Sequence, residues 1–369
     1  MNNKLLIVGS FPGEKRNIYG GISKSCKILI ESNYFSEFEI FKLDSSQISN
    51  PRPQLVNRFF NAIIRIIKLT YMNTTKRPGV VLIFCSDGFS SIEKGFMIIL
   101  SKFFGAKVLI FPRAGNLIDQ TTNNKFFKTI IKFLFKKADV FLAQGENWKN
   151  FAKNSLKIFA KKIQVINNWT ATNELLHIGF NKKIKDNINI KILYVGWLEK
   201  EKGISELISA INWLIKKNKS VELILVGDGS IRKKTEKYVI DNKIHSHVKF
   251  TGWLNSDKIN YHLKESDIFV LPSWQEGMPN ALIEAVSSGI PSIASSVGVI
   301  PNYFTHLENI LLIEPKNITN LQISIEKLID NYDLRKKISN NGYIVAKNFF
   351  SEDKSLKLLS DIIKKLLNG

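Results

Sequence analysis

Short apolar runs alternate with segments of helical periodicity along the first half of the chain. The apolar runs, which are typical of buried strands, lie at residues 4–9, 39–43, 80–84, 107–111, 139–143 and 162–166. Between or after them, apolar positions recur at helical spacing at residues 22–32, 55–71, 91–104, 125–137 and 146–155. This alternation predicts a doubly wound α/β sheet.

The same alternation restarts after a polar, weakly patterned stretch at residues 172–188. Further strands are predicted at 190–195, 222–226, 248–251, 268–271 and 291–294, and further helices at 204–217, 232–242, 256–265 and 352–367. A chain of 369 residues is also too long for one ordinary core, so two domains are expected.

These patterns divide the chain into an N-terminal domain, a linker, a C-terminal domain and a final helix. We place them at residues 1–170, 171–189, 190–345 and 346–369, and expect the final helix to pack back on the N-terminal domain. Two such sheets joined by one linker leave a cleft, and ligands in these folds bind at the carboxyl ends of the strands.

The most informative stretch is residues 268–301, in which a strand, a loop with Gly277 and a helix start follow one another. Backbone N–H groups at a helix start attract anions. Two carboxylates accompany this loop, Glu276 before the helix and Glu284 in what we expect to be its first turn. Either acid alone is explained as a solvated or dipole-stabilising charge. Together they favour a ligand that carries both phosphate and sugar hydroxyls.

Two further loops have the composition of ligand-binding turns. Residues 195–203 read VGWLEKEKG, where Gly196 permits close backbone approach and Lys202 can reach a phosphate. Gly21 belongs to a Gly-Gly pair at the start of the first helix, where a ligand can approach backbone N–H groups. The alternatives are a surface lysine in a Glu/Lys run and an ordinary loop.

These motifs together resemble the family 4 retaining glycosyltransferases (glycosyl transferases group 1), which have the GT-B fold of two facing Rossmann-like domains. The resemblance covers nearly the whole chain. Its most specific part is the pair of glutamates with seven residues between them within LPSWQEGMPNALIEAVSSGIPSIAS. VGWLEKEKG resembles the family's V-G-R-L-x-x-x-K-G element, GGIS its N-terminal glycine loop, and VINNWT its V-I-P-N-G-V segment.

The resemblance implies roles for individual residues. Glu276 would lie by the donor sugar and the reacting centre, Glu284 would hold the nucleotide ribose, and Lys202 would neutralise the diphosphate. The implied catalytic residues are Glu276, Lys202 and Arg113. The implied donor-binding residues are Gly21, Gly196, Trp197, Lys202, Trp253, Glu276, Gly277, Met278, Pro279, Asn280 and Glu284, with residues 250–254 near the nucleobase.

The sequence departs from the family pattern at two places. Trp197 stands where the family has an arginine, so Lys202 would carry more of the diphosphate charge, helped by Arg113 or Arg16. No histidine precedes His177, so the family's histidine near the acceptor has no counterpart here. The expected acceptor-binding residues are Arg16, Arg113 and Asn116.

No Asp-x-Asp motif occurs, although a metal-dependent transferase would use paired carboxylates to hold a divalent ion on the diphosphate. We therefore expect no metal and no cofactor, with the leaving charge stabilised by Lys202, helix ends and backbone N–H groups. The family resemblance further implies retention of the anomeric configuration.

The net charge of +21 lies mostly in the first half. Residues 1–190 hold 29 Lys and Arg against 12 Asp and Glu, and the remainder holds 24 against 20. A basic half implies an anionic partner, namely a membrane surface, a nucleic acid or a polyanion. Helix 125–137 mixes Phe and Ile with lysines as interfacial helices do, and helix 55–71 is a second candidate. The alternative is a helix packed on the sheet with solvated lysines.

Localisation follows from what the sequence lacks. The N-terminal apolar run is too short for a signal peptide, no stretch reaches the length of a membrane span, and Cys26 and Cys85 are far apart. We therefore expect a cytoplasmic protein, peripherally associated with the inner face of the cell membrane.

The expected function is transfer of a hexose or N-acetylhexosamine from a nucleotide diphosphate sugar. The acceptor would be a growing, lipid-linked surface glycan such as an O-antigen or capsule unit. The alternatives are another GT-B activity on the same donors, a catalytically degenerate relative, and a non-enzymatic polyanion or nucleic-acid binder. Nucleic acid is not expected as a partner, because no RNA-binding or helix-turn-helix motif occurs.

Overall fold

Each half of the chain folds around its own parallel sheet. The structure is a computed structural model that describes residues 3–11, 21–46, 54–186 and 189–368. By internal contacts the chain divides into two units, which we describe separately. Unit 1 is Met1–Trp169 with Glu352–Gly369, and unit 2 is Thr170–Ser351.

Both sheets are six-stranded and entirely parallel in their pairings. The sheet of unit 1 has the order β2-β1-β3-β4-β5-β6, with β1 Lys4–Gly9, β2 Glu39–Asp44, β3 Val80–Cys85, β4 Lys107–Pro112, β5 Val140–Ala143 and β6 Ile163–Val165. The sheet of unit 2 has the order β12-β11-β10-β7-β8-β9, with β7 Ile190–Val195, β8 Val221–Val226, β9 Val248–Gly252, β10 Ile268–Leu271, β11 Ser292–Ser295 and β12 Leu311–Ile313.

The helices connect successive strands. They are α1 Gly21–Glu31, α2 Leu55–Thr75, α3 Phe89–Phe103, α4 Asn116–Asn123, α5 Lys125–Phe135, α6 Glu146–Asn150, α7 Asn173–Phe180, α8 Ile204–Lys216, α9 Arg232–Asp241, α10 Ser256–Glu265, α11 Asn280–Ser287, α12 Ile300–Tyr303, α13 Ile318–Asp330, α14 Tyr332–Phe349 and α15 Glu352–Asn368. Short 3₁₀ turns lie at Asn33–Phe35, Ala160–Lys162, Lys200–Lys202 and His245–His247, and a π-helical turn lies at Phe151–Ser155.

The doubly wound α/β architecture predicted from the sequence is confirmed in both units. The central strands are continuous apolar runs because helices cover both faces of a parallel sheet. All six residues of β3 are buried, for example. Helix α5 ends at Phe135, two residues before the predicted end at residue 137, and Lys136 caps it. No helix or strand was predicted from the sequence at residues 304–345, which contain β12, α13 and most of α14.

Segment 171–189, which the sequence suggests as a linker, contains helix α7. The Thr172 side chain caps this helix by accepting a hydrogen bond from the Leu175 backbone N–H at 3.3 Å. Beyond the helix, Lys182 Nζ donates to the carbonyl oxygens of Leu263 and Ser266 at 3.3 and 2.7 Å. Much of this segment is therefore fastened to unit 2.

The C-terminal helix α15 belongs to the core of unit 1. Leu356, Leu359 and Ile363 are fully buried in the same cluster as Phe84 and Trp169. Among the residues that the structure describes, no helix combines the length and the apolar composition that crossing a bilayer requires.

Neighbouring leucines of α15 give a matched test of this packing. Leu359 is fully buried, whereas Leu358 is 44% exposed. We expect Leu359→Ala to reduce the stability of unit 1 by about 2–5 kcal/mol, because it leaves a cavity in the core. Leu358→Ala should stay within about 0.5 kcal/mol of the parent. Urea unfolding followed by circular dichroism measures both, and equal losses would contradict the assigned packing.

Candidate functional site

The loop after β10 is anchored by Trp274. Its backbone N–H donates to the Glu201 carbonyl oxygen at 2.8 Å, and its indole Nε1 donates to Glu206 Oε1 at 2.9 Å. The ammonium groups of Lys200 and Lys316 lie 5.6 and 4.6 Å from the indole ring centroid, within cation–π range. This loop, residues 272–279, contains Glu276 and is called the glutamate loop below. Trp274 ties it to the start of α8.

An ion pair joins the two motifs that the sequence singled out in this unit. Lys202 Nζ lies 2.6 Å from Glu276 Oε1. The side chains are only 28% and 12% exposed, so solvent screens their attraction less than at an open surface. Lys202 ends the 3₁₀ turn before α8, and Glu276 lies in the loop before α11. The lysine and the glutamate therefore neutralise each other at the carboxyl ends of β7 and β10.

Tyr194 on β7 is buried close to Glu276. Its hydroxyl donates to the Trp197 carbonyl oxygen at 2.8 Å. Burial raises the pKa of Tyr194 well above its ordinary value, and the negative charges of Glu276 and Glu199 raise it further. The phenol is therefore a neutral hydrogen-bond donor that holds the turn after β7.

Gly298 brings a second loop against the backbone of Glu276. Its φ is +60°, and a Cβ there would lie 2.2 Å from the Glu276 carbonyl oxygen and 2.6 Å from that of Gly277. The next residue, Val299, donates its N–H to the Gly277 carbonyl oxygen at 3.2 Å. A side chain at position 298 would overlap the backbone of Glu276 and Gly277. The loop around Gly298 therefore restricts the glutamate loop from a second side.

Trp197, which replaces the arginine of the family pattern, packs against Trp253. The two rings meet edge to face, with centroids 4.6 Å apart and an interplanar angle of 72°. The preceding Gly196 donates its N–H to the Val226 carbonyl oxygen at 2.9 Å, which holds the turn against β8. Two residues predicted to bind the donor are thus brought together as one aromatic pair.

Glu284 lies deeper than expected. It is only 4% exposed, and it is the fifth residue of α11, which begins at Asn280. The prediction that it lies in the first turn is wrong, because the helix starts one residue earlier than the sequence suggested. The helix dipole acts mainly on the first turn, so it does not explain a buried carboxylate here. Pro279 is the N-cap and offers no side-chain acceptor to the first-turn N–H groups.

In unit 1, Arg113 follows β4 and is held by helix α1. Its Nη2 donates to Ser25 Oγ at 2.9 Å, and Ser25 Oγ donates to the Gly21 carbonyl oxygen at 3.0 Å. The guanidinium also lies 4.9 and 5.3 Å from the ring centroids of Phe111 and Trp169. Trp169 Nε1 donates to the Ser25 carbonyl oxygen at 2.9 Å, which closes the cluster.

Arg113 is partly buried. Burial lowers the pKa of Arg113 to about 10, so the guanidinium remains charged at neutral pH. Burial likewise raises the pKa of the neighbouring Cys26 to about 12, so this thiol stays neutral and does not pair with the arginine. Arg113 Nη1 is buried and has no hydrogen-bond partner among the described residues. A fixed cation with one unused donor is therefore present beside Gly21.

Of the two other predicted acceptor-binding residues, the structure describes Asn116 only. Asn116 Nδ2 donates to Asp87 Oδ2 at 3.0 Å, which joins the segments after β3 and β4. Arg16 lies outside the described residues. Ser25, Trp169, Tyr194 and Trp274 support the site residues without having been singled out in the sequence, although Trp169 and Trp274 lay inside recognised motifs.

Comparison with known proteins supports the resemblance seen in the motifs. Residues 179–345 match the family model described as glycosyl transferases group 1. An uncharacterized glycosyltransferase of Methanocaldococcus jannaschii is 31% identical over 245 residues, which cover 65% of this chain and 62% of that protein. A capsular polysaccharide biosynthesis glycosyltransferase, CapM of Staphylococcus aureus, is 27% identical over 246 residues, covering 62% and 63%. Across three M. jannaschii relatives, the matches cover 38% to 62% of their length.

Solved structures show the fold. Sucrose-phosphate synthase from Thermosynechococcus elongatus superposes with a TM-score of 0.79 at 15% identity, covering 99% of both chains. Anabaena HepE in complex with UDP-glucose has a TM-score of 0.71 at 15% identity, covering 98% of this chain and 99% of that one. At such identity only the fold is shared, and that fold is GT-B, as predicted.

A glycine pair tests whether Gly298 confines the glutamate loop. Gly298 and Gly88 have similar φ values of +60° and +56°, but a Cβ at Gly88 meets nothing within 4 Å. Both substitutions to alanine carry the backbone cost of about 1 kcal/mol. Gly298→Ala should cost considerably more, because its Cβ overlaps the Glu276 carbonyl oxygen. Thermal unfolding compares the two variants, and equal losses of stability would show that the contact is not restrictive.

Proposed function

We propose that this chain is a retaining glycosyltransferase. Residues 179–345 match the glycosyl transferases group 1 model, and the chain has the GT-B fold. It would move a hexose or N-acetylhexosamine from a nucleotide diphosphate sugar to a growing surface glycan. The observation that carries the proposal is the Lys202–Glu276 pair, which unites both unit 2 motifs at one place. The role of CapM in capsular polysaccharide biosynthesis and the UDP-glucose bound to HepE support the choice of substrates.

The donor would bind in unit 2 with its diphosphate at Lys202. When the bond from the anomeric carbon to the diphosphate breaks, negative charge develops on the leaving oxygen. A fixed ammonium and oriented N–H groups stabilise that charge without reorganising at the moment of reaction. Glu276 holds Lys202 in place at 2.6 Å and can accept from sugar hydroxyls with its carboxylate. Glu284 would accept from the ribose hydroxyls.

The aromatic pair changes how the donor is gripped. The family's arginine would clamp two diphosphate oxygens, and an indole at Trp197 cannot. The Trp197–Trp253 pair instead offers apolar ring surface beside the turn after β7. We propose that it contacts the nucleoside, while Lys202 carries the phosphate charge without a second cation from this turn.

Unit 1 would hold the acceptor, which we propose is lipid-linked. Arg113 is oriented by Ser25, Phe111 and Trp169 and retains an unused N–H donor, as expected of a group that receives an oxygen ligand. Asn116 and Arg16 complete the proposed acceptor set. The basic first half of the chain would keep the protein at the cytoplasmic membrane surface, where such acceptors are found.

Donor binding tests the proposal, with a second, exposed ion pair as the matched control. We expect calorimetry with UDP-, GDP- and ADP-sugars to find one donor that binds. Lys202→Met and Glu276→Gln should each weaken that binding roughly tenfold or more, because a charge at the diphosphate or a hydroxyl acceptor is lost. Lys337→Met and Glu308→Gln remove an exposed pair of 2.7 Å and should leave binding unchanged.

The main rival is a non-enzymatic polyanion binder, which the charge of the first half favours. Its signature would be salt-sensitive binding to DNA or heparin with no affinity for any nucleotide sugar. That result would overturn the assignment of a donor site in unit 2.

Metal independence is a separate expectation. Lys202 supplies the positive charge that a divalent ion supplies in transferases with an Asp-x-Asp motif, which this sequence lacks. Release of nucleoside diphosphate from the bound donor should therefore proceed at the same rate in EDTA as in Mg²⁺. A rate that vanishes in EDTA and returns with Mg²⁺ would contradict it.

A further inference from the structure

Helix α2 presents its apolar residues to solvent. Within the helix Leu55–Thr75, the exposed large side chains are Leu55, Val56, Phe59, Phe60, Ile63, Ile64, Ile67 and Tyr71, with exposed fractions from 40% to 65%. We call these eight residues the α2 apolar face. At helical spacing they cover one broad side of the helix along most of its length. Contiguous exposed apolar surface of this kind marks a protein or membrane contact.

The opposite side of α2 carries the polar contacts to unit 1. Arg65 forms a two-pronged ion pair with Glu93 of α3, at 2.6 and 3.0 Å. Asn73 is buried and bonds to Ser101 at 3.4 Å, and the Arg58 guanidinium lies 6.0 Å from the Phe89 ring centroid. A surface helix of a soluble protein normally buries its apolar side and exposes its charges. In α2 the two arginines turn inward while phenylalanine and isoleucine turn outward.

The neighbouring helices extend the same character. On α3, which contacts α2, the residues Phe89, Phe96 and Phe103 are 68%, 56% and 81% exposed and lie seven residues apart on one side. Helix α5 contacts α3 in turn and exposes Phe126 and Phe133. The outer side of this helix layer is therefore apolar beyond α2 itself.

The segment that contains α2, α3 and α5 is strongly basic. Residues 54–137 contain 14 Lys and Arg against 3 Asp and Glu. Helix α2 itself contains no acid, and Glu93 is already neutralised by Arg65 and Lys94, at 2.6 and 3.3 Å. Apolar side chains in a segment with a large excess of basic residues match a lipid leaflet with anionic headgroups.

We propose that the α2 apolar face inserts into an anionic membrane leaflet, with the helix axis parallel to the membrane. Because the inward side of α2 is fixed to unit 1 through Arg65 and Asn73, the helix can enter only sideways. This inference refines the membrane part of the proposed function and does not depend on the donor chemistry. It also places the main contact on α2, whereas the sequence favoured helix α5.

A second copy of the chain is a poorer occupant of this surface. In a two-fold dimer the same patch faces itself, so two copies of the same strongly basic segment would meet. A nucleic-acid duplex suits the cations but presents phosphates, and not apolar surface, to Phe59, Phe60 and Ile67. An anionic leaflet satisfies both the charges and the apolar side chains.

The test compares two sets of substitutions in the full chain. Phe59→Gln with Phe60→Gln and Ile67→Gln replaces three of the eight residues of the α2 apolar face while keeping helix propensity. Phe126→Gln with Phe133→Gln does the same on α5. Co-sedimentation is measured with mixed phosphatidylcholine–phosphatidylglycerol vesicles and with phosphatidylcholine alone. We expect wild-type protein to bind the mixed vesicles, the α2 variant to lose roughly tenfold or more of its affinity, and the α5 variant to lose less.

A fluorescent label reports insertion directly and keeps the test decisive if the α2 variant folds poorly. Cys26 and Cys85 are buried, so an environment-sensitive fluorophore reacts with Phe60→Cys or, as a control on the exposed side of α15, with Lys357→Cys. Only the label at position 60 should shift to shorter wavelength with mixed vesicles. No shift at position 60, or wild-type affinity in the α2 variant, overturns the proposal.

Two further readouts separate the remaining explanations. A wild-type dimer in lipid-free solution that the α2 substitutions dissociate would assign the face to a second copy and overturn membrane insertion. Nucleotide-sugar binding, measured on the same variants, should not change. A failure of donor binding in wild-type protein would therefore count against the proposed enzyme without bearing on the membrane contact.

Discussion

The ion pair between Lys202 and Glu276 is the constraint on which the arrangement of unit 2 depends. The two residues lie on loops that leave β7 and β10, which are neighbours in the sheet. A partly buried pair is costly to break by removing one partner, because the other charge stays behind without compensation. The pair thus holds a cation and a carboxylate side by side at the proposed donor site.

The surrounding loops leave this pair little freedom. Trp274 ties the glutamate loop to the residues around Lys202, and Gly298 closes against it from another loop. Tyr194 holds the turn after β7 through its hydrogen bond to the Trp197 carbonyl oxygen. Such contacts keep functional side chains within a narrow range of positions, which lets charges act on a reaction without reorganising. Unit 1 uses the same principle, since Ser25 and Trp169 orient Arg113.

Helix α2 shows a different kind of constraint. Its amphipathic pattern was readable in the sequence, but the direction of its apolar side was not. Periodicity identifies two sides of a helix and leaves open which one faces the protein. The ion pair with Glu93 decides this, because it draws Arg65 inward and turns the apolar side outward. The helical spacing of apolar residues in α2, which would suit a helix packed on the core, here produces an exposed apolar side.

The sequence alone determined the doubly wound α/β class, nearly all strands through β11 and the loops that carry the candidate site. These follow from periodicity and from motifs read over a few neighbouring residues. Only the tertiary structure decided that Lys202 pairs with Glu276, that Trp197 packs on Trp253 and that Glu284 is buried. The partners in the two pairs lie more than 50 residues apart, and burial depends on the packing of whole elements. No local pattern contains that information.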